Sequence, residues 1–236
     1  MGTGGGLREG GIVPRVLLFF DYTCPFCYVD SHRFSRLRRE REVEVVPCPL
    51  ELRPDLPAEG LSVEELGGGH SERVEAYLLR TARREGFPMR LPEHVPNTHA
   101  AMVLGEVARD GGAETHWRVH MGVFHAYYGE EADIGARDVL LTVAGKEGLD
   151  EEAVTAAWEG GLYDERLDAF GNLAAHLGIQ ATPAAIICNE LVIGSRPYGV
   201  IAEAVERCML RRDAAEAEPE EVSSTGEDAA TDNRRP

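Results

Sequence analysis

The sequence has no apolar stretch long enough to cross a membrane. Its longest early hydrophobic run, residues 16–20, is strand-sized, and the glycine-rich opening MGTGGGLREGGIVPR lacks the apolar core of a secretory signal. Basic charge is in short supply. Lys and Arg total 24 against 41 Asp and Glu, a net charge of −17, which argues against nonspecific attraction to nucleic acid or to an anionic membrane surface. Only one pair of cysteines is closely spaced, and the total of five is odd, which argues against a stapled disulfide framework. We therefore expect a cytoplasmic protein, a setting in which a close cysteine pair is catalytic or metal-binding more often than structural. No internal repeat is visible.

What is present is the composition of an ordinary globular protein, 43% hydrophobic and 28% charged over 236 residues. That suffices for one domain, or one domain carrying an insertion. Residues 212–236 hold eight acids and three arginines, net −5, with almost no apolar residues; such a segment cannot bury enough to order itself, and we expect a disordered acidic tail. Residues 1–13 are expected to form a flexible leader.

Residues 15–21 are almost continuously apolar and predict a buried strand. A helix is expected over 25–41, with Pro25 in the first turn, where its missing N–H costs nothing, and Phe34 and Leu37 on one face. Arg33, Arg36, Arg38, Arg39 and Arg41 load its later turns and read as a solvated face. Residues 42–52 suggest a second strand interrupted by prolines. Helical spacing follows over 71–85, 97–109, 114–128 and 136–146, separated by Gly- and Pro-rich breaks. A helix over 165–177, strands at 184–188 and 191–193, and a helix over 198–210, with Ser195 near enough to cap it, complete the chain. Without the middle block the order is that of a thioredoxin fold. We thus expect an α/β, thioredoxin-like fold with an inserted all-helical domain: thioredoxin-like parts at 14–61 and 162–211, and the insertion at 62–161.

The segment FFDYTCPFCYVD places Cys24 at the start of the first helix and Cys27 one turn later. Unpaired N–H groups and the helix dipole stabilise a thiolate at such a position, below the free value of about 8.5. Cys24 would be the nucleophile and Cys27 the resolving thiol, with Pro25 and Phe26 as uncharged neighbours, Pro25 stiffening the turn. Zinc would need a second pair of ligands, and Cys48, Cys188 and Cys208 are scattered singly, reading as small buried apolar residues. Far along the chain, Thr182-Pro183 precedes a strand. Pro183 is either an ordinary turn residue or, taken with the upstream pair, the cis-proline that lies against the active-site sulfurs in thioredoxin folds, with Thr182 facing Cys24.

Four stretches in this order resemble one family. They are FFDYTCPFCYV, PNTHAA (96–101), FHAYYGEEADIGARDVL (124–140) and LGIQATPAAIICNELVIGSRP (177–197). From about residue 16 to 210 the chain is similar to the DsbA family of thioredoxin-like oxidoreductases, in its FrnE-like branch, which is grouped with 2-hydroxychromene-2-carboxylate isomerases and kappa-class glutathione transferases. The resemblance implies that Asn97 lines the cleft facing the cysteines, although capping its own helix explains an asparagine there as well. Met102 stands where the branch usually has histidine. Thr182 replaces the usual valine, and Ala184-Ala185 replace a nearby aromatic, so substrate preference is not carried over. The isomerase and transferase relatives have serine at the first active-site position; Cys24 points instead to thiol–disulfide exchange.

Asp21 could assist proton transfer to Cys27, or simply be a polar strand end. His116 and His120, four apart with His125 nearby, could bind a metal but fit packing or surface positions better; no metal site is assigned. The leading expectation is a protein disulfide oxidoreductase acting on protein or small-molecule thiols and disulfides. It needs no tightly bound cofactor, and glutathione is a candidate redox partner. Alternatives are a glutathione-dependent isomerase or transferase of a small aromatic substrate, and a binding or holdase-like module using an apolar cleft. No nucleic-acid or membrane partner is expected, and the sequence assigns no oligomeric state.

Overall fold

The computed structural model describes residues 13–217. Most of the expected leader, and residues 218–236 of the expected tail, lie outside these. At the centre is β1 (Arg15–Phe20), which pairs in parallel with β2 (Glu44–Pro49) and antiparallel with β5 (Ala184–Ile187); β6 (Glu190–Ile193) pairs antiparallel with β5. The order across the sheet is β2-β1-β5-β6. The unbroken apolar run of β1 has a direct cause: both of its faces are covered. Val16 and Leu18 point into one layer with Phe34, Leu37, Ile201 and Val205. Phe19 points into the other with Cys48, Ala174 and Ile179.

The prolines of β2 set its place at the sheet edge. Glu44 and Leu50 donate their N–H groups to Pro14 and Phe20, so the even positions face β1. Pro47 and Pro49 fall on odd positions, where the N–H would point outward and its absence costs no ladder bond.

Helix α1 (Pro25–Glu40) links β1 to β2 by a crossover, as a parallel pair requires. After β2 the inserted block runs through β3 (Leu61–Ser62), α2 (Glu72–Glu85), β4 (His94–Val95), α3 (His99–Asp110), α4 (Ala113–Glu130), α5 (Arg137–Lys146) and α6 (Glu151–Gly160). The block carries a two-stranded ribbon, β3 with β4, that its helical periodicity does not announce. Helix α6 buries Val154 and Ala157. The chain returns through α7 (Asp164–His176) to β5 and β6, and ends in α8 (Tyr198–Ala217), so helix continues into the expected tail.

Three expectations need correction. Arg33 does not belong to the solvated face of α1: it is 3% exposed, and its guanidinium donates to Asp30, Glu85, Ser195 and the carbonyl of Arg196. Ser195 accordingly spends its hydroxyl on Asp30 and Arg33. Cys188 and Cys208 are not separate apolar residues. They are joined as a disulfide between the end of β5 and α8, with Cα atoms 6.0 Å apart, a normal separation for such a bond. Cys48 is a buried free thiol, pushed up to about 12 by desolvation.

Candidate functional site

The site forms where β1 hands over to α1. Cys24 occupies the N-cap of α1 with extended backbone, and its carbonyl accepts from the N–H groups of Cys27 and Tyr28, 3.0 and 3.4 Å away. Pro25 takes the first helical position, where a donor is not needed. No acidic residue lies in the first turn, so the positive end of the helix dipole is left for the Cys24 sulfur. Cys24 is 9% exposed and Cys27 1%, so Cys24 is the more accessible of the two residues.

The surroundings split the two thiols apart. The pKa of Cys24 is lowered, first by a hydrogen bond from Cys27, then by the Thr182 hydroxyl and the Cys27 backbone; burial and the charge of Asp21 oppose this. Cys27 is pushed well up by burial and by its hydrogen bond to Cys24. A proton held between them therefore belongs to Cys27.

From the far side comes the turn before β5. The Thr182–Pro183 peptide is cis. The Thr182 carbonyl lies 3.4 Å from the Cys24 sulfur, positioned to accept its S–H. The buried Thr182 hydroxyl makes no hydrogen bond and is free to turn toward the sulfurs. Gly194 donates its N–H to the Pro183 carbonyl at 2.8 Å, closing this end of the β5–β6 hairpin.

Asp21 is 1% exposed, and burial raises its pKa. Its carboxylate accepts from Thr23 N at 2.7 Å, Thr23 Oγ1 at 2.8 Å and Leu52 N at 2.7 Å. It therefore braces the active-site loop against the segment after β2. Asn97 is held by local contacts: its amide donates to the Leu56 carbonyl, and its oxygen accepts from His99 N at the start of α3. Phe26 points toward the inserted block, edge-on to His70 with ring centroids 6.1 Å apart.

A cleft of about 540 Å³ opens beside the active-site loop, lined by Thr23, Pro25, Arg53, His70, Leu91 and Tyr128 among others. Tyr128 was not singled out in the sequence, although it lies in the YY pair of the third resembling stretch. It is 2% exposed, stacked on Tyr28 with centroids 5.3 Å apart, and within electrostatic reach of both sulfurs. His116 and His120 are buried, pushed down to about 3 and well down respectively, and His120 Nε2 lies 2.9 Å from Ser31 Oγ. They are packed neutral imidazoles. Among the described residues no group of three or more His, Cys, Asp or Glu is arranged to hold a metal ion.

Comparison with known proteins places this geometry in context. The family described as DSBA-like thioredoxin domain matches residues 15–206. A protein of Bacillus subtilis, YwbO, itself uncharacterized, is 25% identical over 197 residues, covering 81% of this chain and 95% of its own. A probable DsbA oxidoreductase from Streptomyces coelicolor superposes with a TM-score of 0.75 at 23% identity, over 89% of this chain and 93% of its own. A 2-hydroxychromene-2-carboxylate isomerase superposes at 0.69 with 20% identity, over 86% of this chain and all (100%) of its own. The cytosolic disulfide reductase DsbM from Pseudomonas aeruginosa, in a structure with glutathione, superposes at 0.55 with 18% identity, over 85% and 99% of the two chains.

Proposed function

Since the chain belongs to the DSBA-like thioredoxin domain family, we propose that it is a thiol–disulfide oxidoreductase working through Cys24 and Cys27. The observation that carries this reading is the placement of Cys24 at the N-cap of α1, one turn before the more deeply buried Cys27, with the Thr182 carbonyl 3.4 Å from its sulfur; the opposed shifts of the two thiols agree with it. A thiolate at Cys24 attacks one sulfur of a substrate disulfide. The substrate S–S bond breaks, its other sulfur leaves as a thiol, and a mixed disulfide forms. Cys27 then loses its proton and attacks Cys24, releasing the second substrate thiol and leaving a Cys24–Cys27 disulfide. Run backwards, the same steps oxidise a substrate dithiol.

In this reading Thr182 and Pro183 present backbone and hydroxyl groups to the reacting sulfur. Asp21 holds the loop in shape, and Pro25 and Phe26 form the lip on the cleft side. Asn97 serves indirectly, by fixing the start of α3. Substrates are thiols and disulfides of proteins or small molecules. Glutathione is a candidate partner, supported by its presence with the DsbM neighbour. No helix of the described residues is long and apolar enough to cross a membrane. In a reducing cytoplasm, where the composition led us to expect the protein, the dithiol would be its resting state. The isomerase neighbour keeps glutathione-dependent isomerisation as the second reading.

Redox titration in glutathione buffers, read by alkylation and mass spectrometry, tests the proposal. The expected result is one reversible two-electron transition joining Cys24 and Cys27. Cys24 carrying glutathione at every poise, with no transfer to Cys27, would overturn it in favour of the second reading.

A further inference from the structure

The disulfide outside the active site is unaccounted for by this chemistry. Cys188 follows β5 directly, in the turn to β6 and at a positive φ of 50°, while Cys208 lies on α8 and is 3% exposed. The bond closes a sequence separation of 20 residues. Beside it Glu190 makes ion pairs with Arg207 and Arg211 of α8, all of them substantially exposed, and such pairs hold weakly in water. The disulfide is thus the one covalent tie between the described hairpin and α8, beside the apolar packing of Ile187 with Ile201 and Val205. At its other end β5 begins at Ala184, directly after Pro183, which lies five residues or on the order of 16 Å from Cys188 and whose neighbour Thr182 contacts Cys24.

We propose that Cys188–Cys208 is a second, independent thiol–disulfide site, a redox-sensitive staple that fixes the β5–β6 hairpin to α8. The two sulfurs are unequal. Cys188 is half-buried at a turn, whereas Cys208 is covered. A small thiolate such as glutathione attacks the Cys188 sulfur; the S–S bond breaks, and Cys208 leaves as a thiolate that takes up a proton. A second glutathione attacks the resulting mixed disulfide, forming oxidised glutathione and releasing Cys188. Two glutathione thiols supply the two electrons, and oxidised glutathione, or another small disulfide, reverses the step. Reduction leaves the exposed Glu190 ion pairs and the apolar packing of Ile187 and Val192 with Ile201 and Val205 to hold the hairpin against α8.

The test uses the full chain in glutathione buffers of graded ratio, with both pairs scored in the same samples by differential alkylation and peptide mass spectrometry. The expected result is a linked peptide containing Cys188 and Cys208 that disappears reversibly at its own midpoint, distinct from that of Cys24–Cys27. Across that transition the thermal midpoint should fall by roughly 6–12 °C. Added salt should then lower it further, by weakening the exposed Glu190 ion pairs that the bond no longer backs up. Cys188→Ser should show the lower thermal midpoint at every ratio while keeping the Cys24–Cys27 transition. The wild-type alkylation pattern decides the matter even if that variant folds poorly. Cys188 and Cys208 alkylated as free thiols in the most oxidising buffer would overturn the proposal. So would a bond that survives every reducing buffer, or cross-links from either residue to Cys24 or Cys27. Because the active-site pair is scored separately, failure of the staple and failure of the proposed function are distinguishable.

Discussion

At the scale of single residues, the chemistry rests on how the surroundings divide one proton between two sulfurs. Cys24→Ser should abolish disulfide exchange, since no thiol reaches the substrate. Cys27→Ser should leave the first attack intact and accumulate mixed disulfides, visible as substrate adducts on Cys24 by non-reducing mass spectrometry. The neighbours tune the same balance in opposite senses. Thr182→Val removes a hydroxyl donor without changing the shape, so the Cys24 pKa should rise. Asp21→Asn removes a negative charge that opposes the thiolate, so it should fall; thiolate absorbance near 240 nm, followed against pH, reads both. The asparagine also sets an amide N–H against Leu52 N–H, a mismatch expected to cost roughly 1–3 kcal/mol of stability. A fall in the Cys24 pKa with Thr182→Val would remove the hydroxyl from the account.

At the scale of elements, the Arg33 network joins three pieces of chain. Arg33 and Asp30 lie on α1, Glu85 at the end of α2, and Ser195 and Arg196 in the turn between β6 and α8. Replacing Arg33 with Met strands two carboxylates around it and should cost about 3–5 kcal/mol in urea unfolding. The network also titrates. Burial raises Asp30 to about 6, against the opposing pull of Ser195 and Arg33. A pKa raised on folding stabilises the acid form, so this contribution is complete below about pH 4 and is lost as pH rises through 6. Glu85 shifts the other way, held down by Arg33. Asp30→Asn should therefore flatten the fall in stability between pH 4 and 6, worth up to about 3 kcal/mol from the two-unit shift; an unchanged pH profile would refute that assignment. The sequence showed Asp30 and Arg33 one helical turn apart. It did not show Glu85 arriving from 52 residues away or Ser195 from 162, and without those partners an arginine on a charged helix face reads as solvated.

At the scale of the whole molecule, the active-site pair couples redox state to global stability. Lowering the Cys24 pKa on folding contributes stability that is complete above the unfolded thiol value near 9 and lost as pH falls through the folded value. Raising Cys27 does the reverse, contributing below about 9 and losing it above. The reduced chain should thus gain stability relative to the oxidised one as pH rises toward about 9, and lose it beyond. Paired urea titrations of the two states from pH 6 to 10 measure this directly, since groups common to both cancel. A difference that is flat with pH would mean the two thiols are not split.

Local patterning sufficed for much of the architecture. The apolar run of β1, the Pro25 start of α1, the periodicity of α2 to α5 and the two closely spaced strands near the C-terminus are signals carried within a dozen residues, and the family likeness follows from motifs in order. Cys24 and Cys27 were legible for the same reason: a helix N-terminus and a one-turn spacing are local facts. What the chain could not disclose alone were the contacts between distant segments. The ribbon β3–β4 joins strands of two residues each, too short to leave a pattern. The burial of Arg33 depends on partners from two other elements. The pairing of Cys188 with Cys208 depends on α8 folding back along β5, so two cysteines that look unrelated in the sequence meet only once the sheet and helix are packed. Those were decided by tertiary structure, because burial and close approach are properties of neighbours that sequence distance does not encode.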